Sequence, residues 1–251
     1  MPELPDLKDP RYRDEIGYFI AYEKYYFRPN EYPEERLSYS RSLLNEVLSH
    51  CDKDEDWLRD KTVVSIGCGC SGDLLVWPAG VKIGIDPLLY AYQRLGMLGE
   101  DLPGTSPTIG LSISGEDTPL LDECADLVIC RNALDHVPDP PRVVEEMARI
   151  LKADGVLYLG VDLGGDPTPD EPSVFSAEDE VFALLEGHFE VIGVKRVDQS
   201  YSLNRDHSVR VVGRPKPQHR QLLDKEEIFR DWEAHSENPI EATRAEGVSG
   251  T

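Results

Sequence analysis

"TVVSIGCGCSGDL", residues 62–74, runs a short β-branched stretch straight into Gly67, Gly69 and Gly72, spaced G-x-G-x-x-G. An apolar run without polar alternation fits a strand buried on both faces. The glycines fit a turn whose backbone amides approach a ligand with no Cβ in the way. The turn also carries Cys68, Cys70 and Ser71, and a Trp-Pro pair follows at 77–78. A pyrophosphate, a metal ion or another cofactor could each be its tenant, and the flanking sequence has to decide.

Outward from this stretch the same pattern repeats. Apolar runs recur at 81–85, 108–113, 125–130 and 155–161, with helical periodicity between several of them, as at 88–98 and 141–152. Strands that alternate with helices predict a parallel sheet covered on both faces. After a helical stretch at 176–186, the runs 188–197 and 207–215 are separated by only nine residues. That is too short for a crossover helix, so the last pair should be antiparallel. The expected fold is α/β: a doubly wound, mostly parallel sheet ending in a C-terminal antiparallel hairpin.

Before this region, residues 11–52 read as helical, broken at Pro29 and Pro33, and hold seven of the eleven tyrosines. This predicts an N-terminal helical extension over 1–58, packed on the main domain or capping a ligand through its aromatics. The cofactor domain is expected over 59–214. A polar, acidic tail is expected over 215–251, with one amphipathic helix at 222–232.

Charge narrows the function. Asp and Glu total 48 against 26 Lys and Arg, a formal charge of −22. A surface so negative repels phosphate backbones, and no basic patch offsets it, so a nucleic-acid partner is not expected. No run reaches the roughly 18 apolar residues that span a bilayer. The acidic, proline-rich first residues do not read as a secretory signal, and the expected location is the cytoplasm. The five cysteines are expected to be reduced. Cys68 and Cys70 form a C-x-C without a second ligand pair, so no metal is expected there.

Asp86 ends the second strand, where a carboxylate can accept both ribose hydroxyls of a nucleoside cofactor. It follows Gly72 by 14 residues, and Pro78 limits the intervening helix to about two turns. A pyrophosphate site uses the N-terminus of a well-formed helix, which this spacing does not supply. "SGEDTPL" (114–120) and "CRNALDHVPDP" (130–140) complete the pattern. Together, and in this order, these segments resemble a class I S-adenosylmethionine-dependent methyltransferase (methyltransferase type 11-like) over about residues 60–213.

The resemblance implies a seven-stranded sheet and S-adenosyl-L-methionine as cofactor. It assigns Gly67, Cys68, Gly69 and Gly72 to the turn at the methionine part, and Asp86 to the ribose. Gly115, Glu116 and Asp117 fall in the adenine loop. Arg131 and Asn132 fall in the segment bordering the transferable methyl. Two positions depart from the family. Ser65 stands where kin often carry an acid on the first strand, and Ser114 where an acid would meet the adenine amine.

A hydroxyl acceptor needs a base as its oxygen attacks the methyl group. Asp135 and His136 sit just past the fourth strand, and an imidazole with an ordinary pKa of about 6.5 suits that task. The alternative is a capping Asp and a packing His. The long loop 161–179 carries Asp162, Asp166, Asp170 and Glu171, which could bind a polar or cationic substrate or a divalent ion, or be a solvated acidic loop. The expected function is therefore O-methylation of a small molecule or a glycan hydroxyl. A catalytically silent cofactor-binding module and an NAD-dependent oxidoreductase remain as alternatives.

Overall fold

A computed structural model describes residues 9–22, 31–70, 72–98, 102, 104–169, 171–198 and 207–217. Contacts divide the chain into two units, Met1–Pro217 and Gln218–Thr251. The second unit, with the helix expected at 222–232, lies outside the described residues, as do Tyr25 and Tyr26 and position 170.

Seven strands form one sheet: β1 Thr62–Ile66, β2 Val81–Ile85, β3 Ile109–Leu111, β4 Ala125–Arg131, β5 Leu151–Leu163, β6 Phe189–Val197 and β7 His207–Pro215. Their order is β3-β2-β1-β4-β5-β7-β6. The first five pair in parallel, while β7 runs antiparallel to both β5 and β6. The expected α/β class and closing hairpin are what the chain adopts. Strand β7 inserts between β5 and β6, so the hairpin ends the sheet with β6 at its edge.

The helices are α1 Pro10–Tyr22, α2 Pro33–Cys51, α3 Glu55–Leu58, α4 Leu89–Arg94, α5 Pro140–Ile150 and α6 Glu178–Glu186. Strand periodicity assigns them to faces. Val63, Leu127, Ile129 and Tyr158 point to one side and meet Leu43, Leu44, Val47 and Leu48 of α2. Their alternates Val64, Val128, Leu157 and Leu159 point to the other and meet Val143 and Met147 of α5 and Val181 and Leu185 of α6. The N-terminal extension is thus part of the core: α2 is one layer of the domain. The buried Arg210 of β7 and Tyr158 of β5 both donate to Glu46 Oε1 of α2, at 3.1 and 2.5 Å.

The short helix expected after the glycine turn is absent. Residues 72–77 form consecutive turns, closed by Leu75 N–H to Gly72 O and Trp77 N–H to Leu74 O. Only five residues separate Gly72 from Pro78, too few to offset the cost of nucleating a helix. Leu74 and Trp77 fill the helix's place against α2. The carbonyls left without helical partners are met by a cation: Lys82 Nζ of β2 donates to Leu74 O (2.6 Å), Leu75 O (3.2 Å) and Ser106 O (2.8 Å). Helix α4 is also shorter than the 88–98 pattern, because Gly96 at φ +70 ends it.

Helix α5 starts as its sequence dictates, with Asp139 accepting from Arg142 N–H and prolines in the first turn. From its inner face the buried Glu146 accepts from Thr118 N–H and Oγ1 and from Arg149 Nε and Nη2. This ties the 114–120 loop to the helix. Replacing Arg149 with methionine should cost about 2 kcal/mol, because the carboxylate stays buried while its half-exposed cation is lost. Denaturant unfolding would measure this. The solvent-exposed Arg142–Glu145 pair supplies the control, and its loss should leave stability unchanged.

Candidate functional site

Because β1, β2, β4 and β5 are parallel and in register, their carboxyl ends share one edge: Ile66 pairs with Ile85 and with Cys130, and Arg131 with Gly160. The residues that follow each strand therefore converge there. Gly67, Gly69 and Gly72 all take positive φ, at +67°, +56° and +74°. Gly67 also lies against the β4 exit, where an added Cβ would stand 2.1 Å from Ala133 Cβ. Its N–H and that of Cys68 donate to Ile85 O, which joins the turn to β2.

Asp86 is buried behind this turn. Its Oδ2 accepts from Gly69 N–H at 2.9 Å and its Oδ1 from Leu88 N–H at 2.8 Å. Burial pushes its carboxyl up to about 6, against the pull of those two amides. Cys68 and Cys70 are buried, and burial raises both thiols, so neither is a ready thiolate. Among the described residues they join no group of three candidate metal ligands.

Ser65, the departure on β1, donates its hydroxyl to Asp73 Oδ2 at 3.1 Å, and both side chains are buried. The strand lacks an acid, yet a carboxylate reaches the same spot from the turn eight residues on. Helix α2 holds that residue in place. Ser40 Oγ donates to Asp73 O and accepts from Val76 N–H, and the buried Arg36 donates to Met97 O. At the second departure, Ser114 is exposed and so is Asp117, whereas Gly115 is buried against Ile66. Glu116 turns inward, with Oε2 buried and no hydrogen-bond partner among the described residues.

Past β4 the backbone bends sharply, with Asn132 at φ +47 and its N–H on Gly160 O. Asn132 Nδ2 donates to Asp162 Oδ2, and Ser208 Oγ donates to Asp162 Oδ1. Arg131 faces the α2 side instead: Nη1 donates to Tyr39 Oη at 2.8 Å, and the residue lines a surface groove with Glu34, Glu35, Ser38 and Glu46. The structure does not bring Arg131 to the glycine turn.

Asp135 is buried, and burial raises its carboxyl, while the nearby His136 opposes that shift. His136 Nε2 lies 4.0 Å from Asp135 Oδ1 and 4.0 Å from Glu171 Oε1, and its Nδ1 lies 3.6 Å from Glu15 Oε2 of α1. The long loop reaches these residues through Ser173, whose N–H donates to Asp135 O and whose Oγ donates to Val137 O. Helix α1 arrives from the other side, with Ile16 packed among Cys68, Cys70, Leu88 and Met97. Sequence reasoning missed Asp73, Glu15 and Arg36 as site residues. Asp73 carried a signal, an acid directly after the third glycine; the other two lie in helical stretches that read as packing.

Residues 64–159 match the family model described as a methyltransferase domain. Ubiquinone biosynthesis O-methyltransferases are similar to this chain. That of Haemophilus ducreyi is 31% identical over 124 residues, 47% of this chain and 52% of that protein. That of Actinobacillus pleuropneumoniae serotype 5b is 28% identical over 126 residues, 47% and 53%. The chain thus spans about half the length of these curated relatives. Among solved structures, the 1,6-didemethyltoxoflavin-N1-methyltransferase of Burkholderia thailandensis, with S-adenosylhomocysteine bound, aligns with a TM-score of 0.53 at 16% identity, covering 86% of this chain and 93% of that one. At that identity the likeness shows the fold alone. Among the described residues no helix is long and apolar enough to cross a membrane. The matched domain, the seven-stranded sheet and the glycine turn agree: residues 64–159 form a methyltransferase domain with the class I S-adenosylmethionine-dependent fold.

Proposed function

We propose that this chain transfers a methyl group from S-adenosyl-L-methionine to a hydroxyl of a small molecule or glycan. One observation carries the reading: the glycine turn with Asp86 and the Asp135–His136 pair stand on the same sheet edge, joined where Gly67 touches Ala133.

The residues fit the cofactor. The turn's three left-handed glycines leave a cradle that Cβ atoms would fill, and Asp86 offers a carboxylate for the ribose hydroxyls. Asp73 supplies the acid that Ser65 lacks, and the orphaned Glu116 Oε2 is an acceptor for the adenine amine. Turns in place of a helix after Gly72 remove the N-terminus on which a pyrophosphate would rest, which counts against a dinucleotide. When bound, S-adenosylmethionine supplies an already activated methyl group, so the protein's work is alignment and removal of one proton.

His136 does the second task in this reading. With its proton on Nδ1, toward Glu15, the imidazole leaves Nε2 as the acceptor. Asp135 and Glu171 stabilise the imidazolium that forms. The acceptor class draws on the O-methyltransferase names of the relatives, and on a surface charge that disfavours nucleic acid.

The test is methyl transfer from radiolabelled cofactor to a panel of phenols, alcohols and sugars, with His136→Gln beside the wild type. The substitution should lower kcat about 100- to 10,000-fold while affinity for S-adenosylhomocysteine stays within about twofold. Equal turnover in the variant would remove His136 from the chemistry. Binding without turnover on any acceptor would favour the silent module.

A further inference from the structure

Lys82 is a costly residue to bury. It stands on β2 in register with Val63 of β1, on the face of the sheet that α2 covers, and is only 3% exposed. No carboxylate offsets its desolvation: among the described residues it forms no salt bridge, and burial alone lowers the pKa of the ammonium. A methionine would fill the same space without that cost. What methionine lacks is the three N–H donors of an ammonium, and here all three meet backbone carbonyls. Leu74 O lies at 2.6 Å, Ser106 O at 2.8 Å and Leu75 O at 3.2 Å. The work of this side chain is therefore in the segments it joins.

Those segments are the turns at 72–77 and the stretch before β3. The turns hold themselves weakly: Leu75 N–H reaches Gly72 O at 3.1 Å and Trp77 N–H reaches Leu74 O at 3.3 Å, without the cooperative ladder of a helix. Leu75 O takes one further amide, that of Ser106 at 3.1 Å. Upstream, Ser40 Oγ fixes the backbone at Asp73 O. The ammonium grips the next two carbonyls, directly after the carboxylate that accepts from Ser65. Gly72, the third glycine, opens the same turns.

We propose that Lys82 is a positioning residue for the cofactor: its ammonium holds the 72–77 turns closed, in the arrangement that keeps Gly72 and Asp73 at the cofactor site. It does what helical hydrogen bonds would do had a helix formed after Gly72. This deepens the function proposed above and rests on it. Lys82 acts through Gly72 and Asp73, not by contact with the cofactor. Without the ammonium the segment divides between closed and open forms, and only the closed form presents the acid. Apparent affinity then falls by the fraction that is closed. Cofactor and ammonium favour the same form, so bound cofactor restores the order that loss of the ammonium removes.

Lys82→Met in the full chain tests this by two measurements, amide hydrogen exchange followed by NMR and calorimetric titration with S-adenosylhomocysteine. Loss of three charge-assisted contacts should leave the turns closed in about a tenth of the molecules or fewer. The Leu75 and Trp77 amides, protected in the wild type, should then exchange near the rate of unfolded chain, while the amides of β4 keep their protection. S-adenosylhomocysteine should bind about tenfold more weakly or worse, and at saturation it should protect both amides again. Lys82→Gln, which keeps an N–H donor on a shorter stem, is read in the same way should Lys82→Met not fold. Affinity within about twofold of the wild type, with the two amides exposed, would overturn the proposal, because the turns would then not serve the cofactor. Amides that stay protected would overturn it too, because the ammonium would then not hold the turns. Failure of both variants to fold, or loss of protection across β4 and β5, would overturn it in favour of a role in the fold as a whole. If S-adenosylhomocysteine does not bind the wild type at all, it is the methyltransferase reading that fails, and this proposal with it.

Discussion

Gly67→Ala should unfold the protein some 10–15 °C below the wild type, the largest loss expected from removing no interaction at all. Two costs add at this one position. An alanine held at φ +67° costs about 1–2 kcal/mol relative to glycine. Its Cβ would also stand 2.1 Å from Ala133 Cβ, so β1 and the β4 exit must separate, at a further cost of about 1–3 kcal/mol for overpacking. In a domain of this size each kcal/mol lowers the midpoint by about 2–4 °C. The double variant Gly67→Ala, Ala133→Gly removes the overlap and keeps the strained dihedral, so it should recover about half of the loss. A melting temperature for Gly67→Ala within about 2 °C of the wild type would show that the turn is not packed this way.

That position also marks what sequence can and cannot disclose. The G-x-G-x-x-G spacing, the β-branched run before it and the nine-residue hairpin connection are local patterns. Local patterns carried the alternation of strands and helices and the antiparallel close. The spacing gave no hint that Gly67 abuts Ala133, because that contact joins residues 66 apart in the chain. The helix expected after Gly72 failed for a related reason: burial of Leu74 and Trp77 under α2, and the reach of Lys82 to three carbonyls, made turns sufficient where propensity suggested two helical turns.

The site divides along the same line. Asp86, Asp135 and His136 are strand-end residues, legible because a parallel sheet gathers its carboxyl ends. Asp73 and Glu15 reach the site through the path of a turn and the docking of a helix, which periodicity does not encode. The apparent gap at Ser65 is the clearest case. The sequence shows a missing acid, and the fold returns one from Asp73.

Asp86→Ala carries the second large effect, this time on binding. The carboxylate accepts two backbone amides and, in the proposed complex, both ribose hydroxyls. Hydrogen bonds to a charged acceptor are worth about 1.5–3 kcal/mol each, so loss of the ribose contacts should weaken S-adenosylhomocysteine binding about 30-fold or more. Asp86→Asn keeps the volume and one acceptor oxygen and should lie between. Titration gives an independent signature. Burial holds the Asp86 carboxyl at about 6, and only the ionised form accepts both hydroxyls. Affinity should be flat above about pH 7 and decline below about pH 6, approaching tenfold per pH unit, a decline that Asp86→Asn should abolish. For folding the sign is reversed: a carboxyl raised above its unfolded value adds stability in acid and loses it as the pH rises from about 4 to about 6.

The central claim is that the glycine turn and Asp86 hold S-adenosylmethionine for methyl transfer at the β4 edge. Calorimetric titration of the wild type and Asp86→Ala with S-adenosylhomocysteine at about pH 7.5, above the Asp86 transition, tests it most directly. One site per chain is expected in the wild type, with binding at least about 30-fold weaker in the variant. No binding by the wild type, or equal affinity in the two proteins, would contradict it.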